Sequence, residues 1–281
     1  MALEWALGRD QRTALPEYLR VEILPAAVAA AQPKQPASLN PVVLRRELLR
    51  RVRREADGSA SLDVPMVDQG QKGYCAAASV ARVMAYYGFD FLDQHQIASW
   101  AASDADRGTN EAMLKKISGV LHDRYKLVYS ELPAGKSDLQ DLVKKYNREA
   151  KRQKRPEASY APAPGTRIVM ADSIWAQFDP DLLRAARTSN QQANQIFFAA
   201  VKKSIDAGVP LVWSVMLGYV AENPPLPQAR GGHMRLIIGY TADKRILYSD
   251  SWGAGHERKS MSLEDAMTIT TGLRSIAWTA N

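Results

Sequence analysis

Residues 68–79 read DQGQKGYCAAAS and hold the only cysteine of the 281-residue chain. A glycine-rich loop meets an alanine-rich segment here, and the apolar residues that follow recur at helical spacing. This pattern predicts a helix from Cys75 to about Gly88. In the first turn of a helix, the helix dipole and unpaired backbone N–H groups favour the thiolate. The position indicates a reactive thiol, with a buried packing cysteine as the alternative.

A glutamine lies six residues before the cysteine. Gly70 and Gly73 allow a tight loop, so Gln69 can return to the thiol and present its amide N–H groups. Together with the backbone N–H of Cys75, this amide would supply two hydrogen-bond donors to a developing oxyanion. The simpler interpretation is a loop glutamine with no part in chemistry.

A nucleophilic cysteine needs a base, and the chain offers four histidines. His95 and His122 fall within or at the end of predicted amphipathic helices, which favours surface or capping roles. His256 lies beyond the glycine turn that ends the predicted strand 245–252, and it is the competing candidate for the base. His233 follows two glycines and opens a strongly apolar strand, from which it can project into a cleft. We therefore predict His233 as the base.

The partner that orients this base is predicted from two consecutive strands. The runs 233–240 and 245–250 are rich in β-branched and aromatic residues, and residues 241–244 connect them. If the runs form an antiparallel hairpin, the start of the first lies beside the end of the second. His233 and Asp250 are then neighbours, and the aspartate can accept the imidazole N–H.

Four residues that flank the predicted nucleophile, base and aspartate are candidates for substrate binding: Gly73, Tyr74, Gly232 and Trp252. We expect Trp252 to cover the histidine–aspartate pair and keep water away from it. Simple core packing is an equally good explanation of this tryptophan.

The order of elements predicts an α+β fold. Predicted helices dominate the first part of the chain, at 93–102, 109–122 and 136–153. The region 180–208 follows and forms one long or two shorter helices. Predicted strands dominate the last part: 209–217, 233–240, 245–252 and 273–279. Earlier extended segments are predicted at 61–70 and 125–132. A helical lobe with the nucleophile and an antiparallel sheet lobe with the base follow from this order.

Domain boundaries are predicted from composition. Residues 1–60 form an N-terminal extension, accessory or propeptide-like, whose apolar residues favour packing onto the main core. Residues 61–281 form the main domain, with an insertion at about 133–180 that contains the proline-rich loop 156–166.

The formal net charge is +7, concentrated in the runs 44–55 and 144–155. Amphipathic helices with solvated basic faces explain both runs, and a surface for nucleic acid is the alternative. We predict no nucleic-acid partner, because stacking aromatics are scarce there.

Several other functional classes lack their sequence signals. No apolar run approaches the ~20 residues of a membrane-spanning helix, so we expect no membrane span. Ligand clusters for a metal and glycine-rich nucleotide loops are also lacking, so we predict no cofactor and no metal. A single cysteine forbids an internal disulfide and leaves the compartment open between the cytoplasm and the cell envelope.

The pattern of Gln69, Gly70, Gly73 and Cys75, followed by GGH at 231–233 and DSWG at 250–253, resembles the papain-like cysteine peptidases. Papain itself has asparagine where this chain has aspartate, and it has an aromatic residue where alanine follows the cysteine here. Both departures are more similar to the C39-like peptidases.

The resemblance implies a papain-like fold in two lobes and a cysteine peptidase acting on a peptide or protein. Cys75 would be its nucleophile, His233 its base, Asp250 the orienting partner and Gln69 the oxyanion donor. An amidase, isopeptidase or acyltransferase on the same fold is the alternative, since fold does not fix substrate. A binding module that has lost its activity is a further alternative.

Overall fold

The described residues are organised around an antiparallel sheet of eight strands. Its main path runs β1-β2-β5-β4-β8-β3, while β6 pairs with β5, and β7 pairs with β6. The strands are β1 Val52–Arg54, β2 Ala60–Leu62, β3 Leu127–Glu131, β4 Leu211–Leu217, β5 Gly231–Tyr240, β6 Ile246–Ser249, β7 Lys259–Met261 and β8 Thr270–Trp278.

The computed structural model describes residues 41–70, 73–101, 111–136, 138–162, 165 and 169–278, with backbone only at 41–45 and 111. All of them fall in one compact unit, Asn40–Asn281. The first 40 residues of the predicted extension lie outside the described residues, as does the predicted helix start at 109.

Helices surround this sheet. In chain order they are α1 Pro41–Arg50, α2 Cys75–Tyr86, α3 Gln94–Ala101, α4 Glu111–Tyr125, α5 Leu139–Arg152, α6 Ala171–Trp175, α7 Pro180–Thr188, α8 Gln191–Asp206 and α9 Leu263–Ile269, with a 3₁₀ turn at Pro133–Gly135. Almost every residue of β4 and β5 is buried, so helices or loops cover both faces at the middle of the sheet.

The nucleophile helix is slim, which lets it sit against the sheet. Ala76, Ala77 and Ala78 are at most 2 % exposed, and the hydroxyl of Ser79 donates to the carbonyl of Met234 on β5 (3.3 Å). Small side chains allow the helix backbone to approach β5 closely. As a result, the start of α2 lies beside the start of β5.

Residues 41–62 belong to the core rather than to a separate appendage. Strand β2 pairs with β5 through Ala60 opposite Tyr240 and Ser61 opposite Gly239. A side chain at position 239 would place its Cβ 2.5 Å from the carbonyl oxygen of Ala60, so this pairing needs glycine. Leu48 and Leu62 are also buried.

The predicted α+β class is confirmed, and so is the hairpin of β5 and β6. The prediction of one arginine-rich helix over 44–55 is wrong, because α1 ends at Arg50 and Val52 begins a strand. Residues 180–208 form two helices, and the second begins where the Asn190 side chain accepts from the N–H of Ala193. Strand β7 and helices α6 and α9 were not predicted.

In the part of the chain that the structure describes, no helix is both long and apolar enough to cross a membrane. Over the same residues, no group of three or more histidine, cysteine, aspartate or glutamate side chains is arranged to hold a metal ion.

Candidate active site

Cys75 is the first residue of α2 and is partly exposed. Burial by itself raises the pKa of this thiol. The interaction with His233, helped by the backbone N–H groups of Met234 and Ala76, outweighs burial and lowers the pKa below its ordinary value. These are the surroundings of a thiolate nucleophile.

His233 lies near the start of β5 with its side chain fully buried. Its Nε2 is 3.0 Å from Oδ1 of Asp250, which directly follows β6. The hairpin register, with Leu236 opposite Ser249, brings the two residues to the same end of the sheet. Because Nε2 is engaged by the carboxylate, Nδ1 is the ring nitrogen left for the thiol of Cys75.

The ionisation of the histidine–aspartate pair follows from its neighbours. Burial lowers the pKa of His233, but Asp250 and Cys75 together raise it above the ordinary histidine value. Burial raises the pKa of Asp250, but the positive charge of Arg235, followed by His233, lowers it overall. At neutral pH these directions favour an imidazolium between a thiolate and a carboxylate.

Gln69 is buried beside this pair. Its backbone N–H donates to the carbonyl of Ser251 (2.8 Å), and its side-chain Oε1 accepts from the Ser251 hydroxyl (2.6 Å). The oxygen end of the amide is therefore held by a donor, and Nε2 is the end that can donate. The structure brings the predicted glutamine to the loop that carries Asp250.

Trp252 stacks on the imidazole of His233, with ring centroids 4.1 Å apart and an interplanar angle of 8°. His256 meets the edge of the same indole at 5.8 Å. Burial lowers the pKa of His256, which keeps its ring neutral. The Asp250 carboxylate contacts His233 and not this competing histidine, so the geometry favours His233 as the base.

Three further predicted residues lie around these groups. Tyr74 precedes α2 and meets the ring of His95 edge-on at 5.6 Å, a role that the sequence did not suggest for His95. Gly73 is partly exposed in the loop before it. Gly232 pairs with Met216 of β4 and is exposed. Their part in substrate binding stays a prediction.

Sequence reasoning missed two residues of this site that carried readable signals. Ser251 directly follows the predicted aspartate, so its closeness to the site could have been inferred. Arg235 lies two residues after His233 in a strand, and side chains at that spacing share a face. The loop residue Glu222, which binds Arg235, carried no such signal.

The site thus combines a helix-start cysteine with a buried histidine–aspartate pair, which is an arrangement for thiol-based hydrolysis. The model of the Peptidase_C39 like family matches residues 61–271, more than half of the chain. The chain belongs to this family, and the predicted resemblance is confirmed. At the level of the family the protein is a cysteine peptidase, a hydrolase. A search of curated proteins finds no match.

Proposed function

We propose that this protein hydrolyses peptide bonds through a triad of Cys75, His233 and Asp250, with Gln69 completing the oxyanion hole. The observation that carries the proposal is the position of His233. Its imidazole binds the Asp250 carboxylate at 3.0 Å and acts on the thiol at the start of α2. These elements come from distant parts of the sequence, and packing alone does not require this set of groups at one place.

The chemistry begins with the thiolate–imidazolium pair. The Cys75 sulfur attacks the substrate carbonyl carbon, and the carbonyl oxygen becomes an oxyanion that accepts from Gln69 Nε2 and the backbone N–H of Cys75. His233 then gives its proton to the leaving amine as the C–N bond breaks, leaving a thioester.

Water completes the reaction. Neutral His233 takes a proton from the water molecule, whose oxygen attacks the thioester carbonyl. The C–S bond breaks, the carboxylic acid product leaves, and the thiolate–imidazolium pair is restored. Throughout, Asp250 holds the imidazole in one orientation, and the stacked indole of Trp252 limits access of bulk water to it.

The proposal includes the domain organisation. Residues 61–281 form a papain-like catalytic domain in two lobes, with an insertion at about 133–180, and the extension 1–60 before it adds β1 and the start of β2 to the sheet of that domain. Packing of α3 against α2, and of α4 against α3, supports a helical lobe, and the hairpin that carries His233 supports a sheet lobe. Substrate would contact Gly73, Tyr74, Gly232 and Trp252.

A peptidyl epoxide probe tests the proposal directly. The chain has one cysteine, so intact-mass analysis should show a single adduct that is absent in Cys75→Ala. A peptide-library digest with the same two proteins should then show cleavage products only with the wild type. A folded wild type that neither takes up the probe nor cleaves any library peptide would overturn the proposal.

Product analysis separates hydrolysis from acyl transfer. With an added amine such as glycinamide, a hydrolase should still release mainly the free carboxylic acid. Predominant formation of the amide product would identify an acyltransferase instead.

A further inference from the structure

Behind the histidine–aspartate pair lies a buried charge cluster, defined here as Glu222, Arg235, Tyr248, Asp250 and Lys259. The side chains of its four charged members are at most 4 % exposed. The cluster joins four separate parts of the chain, the loop after β4, strand β5, the end of β6 and strand β7.

Arg235 connects the two carboxylates of the cluster. Its Nε lies 3.0 Å from Oδ1 of Asp250, the same oxygen that contacts His233. On its other side, Nη1 and Nη2 donate to the carboxylate of Glu222 at 3.1 Å. A planar guanidinium is the side chain suited to bridging two carboxylates in this way.

Glu222 is held by further donors. Lys259 Nζ lies 3.2 Å from its Oε2, and the hydroxyl of Tyr248 donates to the same oxygen. Lys259 Nζ is also 4.0 Å from Oδ2 of Asp250. The guanidinium of Arg235 stacks over the Tyr248 ring, 4.7 Å from its centroid. Every charge in the cluster therefore has an opposite charge beside it.

Burying four charges is an inefficient way to stabilise a core, because well-packed apolar side chains often serve as well or better. The cluster does have a distinct electrostatic property. The charges of its two carboxylates and two cations cancel, so an imidazolium at His233 forms next to a cluster with no net positive charge. Without Glu222, Arg235 and Lys259 would together oppose that imidazolium.

We propose that Arg235 and Glu222 are positioning residues that set the ionisation of the Cys75–His233 pair through Asp250. Arg235 fixes the carboxylate and keeps it ionised, and Glu222 neutralises the charge that Arg235 would otherwise direct at the imidazolium. The inference rests on the proposed role of His233 as the base for Cys75.

Other charged groups face Asp250, and they are constant across the test. Arg82 on α2 donates to the backbone carbonyl of Asp250 (2.8 Å). His256 and Glu257, from the loop before β7, also act electrostatically on this region. None of these is changed in the variants below.

The test is the pH dependence of Cys75 alkylation by iodoacetamide in the full chain, which needs no substrate. The wild type should show two inflections, one where the thiolate–imidazolium pair forms and a higher one where the imidazolium loses its proton. Glu222→Gln removes a negative charge and should shift the upper inflection down by about one pH unit, and Arg235→Gln should shift it up by a similar amount. The double variant, which loses one charge of each sign, should return close to the wild type.

Two controls separate this effect from structural damage. Arg235→Lys keeps the positive charge and should keep the upper inflection. Asp206→Asn is a matched change, because Asp206 also binds an arginine, a lysine and a tyrosine. These partners are Arg54, Lys202 and Tyr240, and the site lies at the end of β5 away from His233. This variant should leave the inflection unchanged. If Arg235→Gln does not fold, Glu222→Gln against Asp206→Asn still decides.

Folded Glu222→Gln with an unshifted upper inflection, alongside a wild type with two inflections, would overturn the inference and leave the proposed function intact. A wild type with a single inflection near ~8.5, the value of a free thiol, would overturn both.

Discussion

The hydroxyl of Ser251 fixes the orientation of the Gln69 side-chain amide. Since the hydroxyl donates to Oε1 at 2.6 Å, the amide nitrogen is turned away from it. An oxyanion hole needs its donors fixed before reaction, because reorientation during the reaction costs part of the stabilisation. In the proposed oxyanion hole, Ser251 therefore acts only through Gln69.

We expect Gln69→Ala to slow acylation by a peptide substrate roughly 10²-fold, the scale of losing one oxyanion donor. Ser251→Ala keeps the amide and should slow acylation by only about tenfold, the scale of one lost hydrogen bond. In the double variant the Ser251 change should have little further effect. Second-order acylation rates and thermal unfolding temperatures measure both points. Equal, additive losses would mean that the serine acts independently of the glutamine.

At the scale of elements, Arg82 fastens the nucleophile helix to the strand end that carries Asp250. Its fully buried guanidinium donates to the carbonyls of Pro65 and Asp250, each at 2.8 Å, and to the hydroxyl of Ser249. Burial lowers the pKa of Arg82 to about 10, so the side chain is still charged at neutral pH. This one side chain sets the distance between α2 and the end of β6.

Arg82→Met should lower the free energy of unfolding by about 2–4 kcal/mol, because several buried acceptors lose a charged donor at once. Urea denaturation followed by circular dichroism measures the change. Arg258→Met, at an exposed position in the loop before β7, is the matched control and should change stability by less than about 0.5 kcal/mol. A loss at Arg82 no larger than at Arg258 would contradict the fastening role.

Elements that carry their own periodicity were predictable from the sequence. Helix α2 and the hairpin of β5 and β6 are long enough to show a helical or strand pattern, and they position Cys75, His233 and Asp250. The four-residue spacing of Leu44 and Leu48 continues at Val52, so the sequence pattern predicts a helix where the structure has strand β1. Strand β7 has three residues, too few to show any alternation. Its Lys259, like Glu222 in a loop, gains meaning only from tertiary contacts.

At the scale of the whole molecule, the segment 41–62 completes the sheet. It adds β1 and β2 beside β5 and buries the side chains of Leu48 and Leu62. Arg54 of β1 also pairs with Asp206 at the end of α8 (2.8 Å). Removal of this segment would leave the end of β5, at Gly239 and Tyr240, without its β2 neighbour and would uncover the apolar core beside it.

We therefore expect a truncation that begins at Asp63 to be less stable than one that begins at Asn40. Burying each leucine contributes about 1.5–3 kcal/mol, so the two leucines alone predict a difference of at least about 3 kcal/mol. Urea denaturation of the two truncated proteins gives the difference, and light scattering would detect aggregation through the uncovered edge. Equal stability of the two truncations would show that the segment is dispensable.

A ribosome delivers β8 only after nearly all of the sheet has been made, yet β8 lies inside the sheet, between β4 and β3. Until residues 270–278 have left the exit tunnel, β4 lacks one of its two neighbours, and β4 in turn supports the strand that carries His233. The groups of the proposed site therefore come together only after β8 has joined the sheet. Until then a nascent chain carries Cys75 without a firmly held His233 beside it, which would keep the proposed activity off while β8 is still being made.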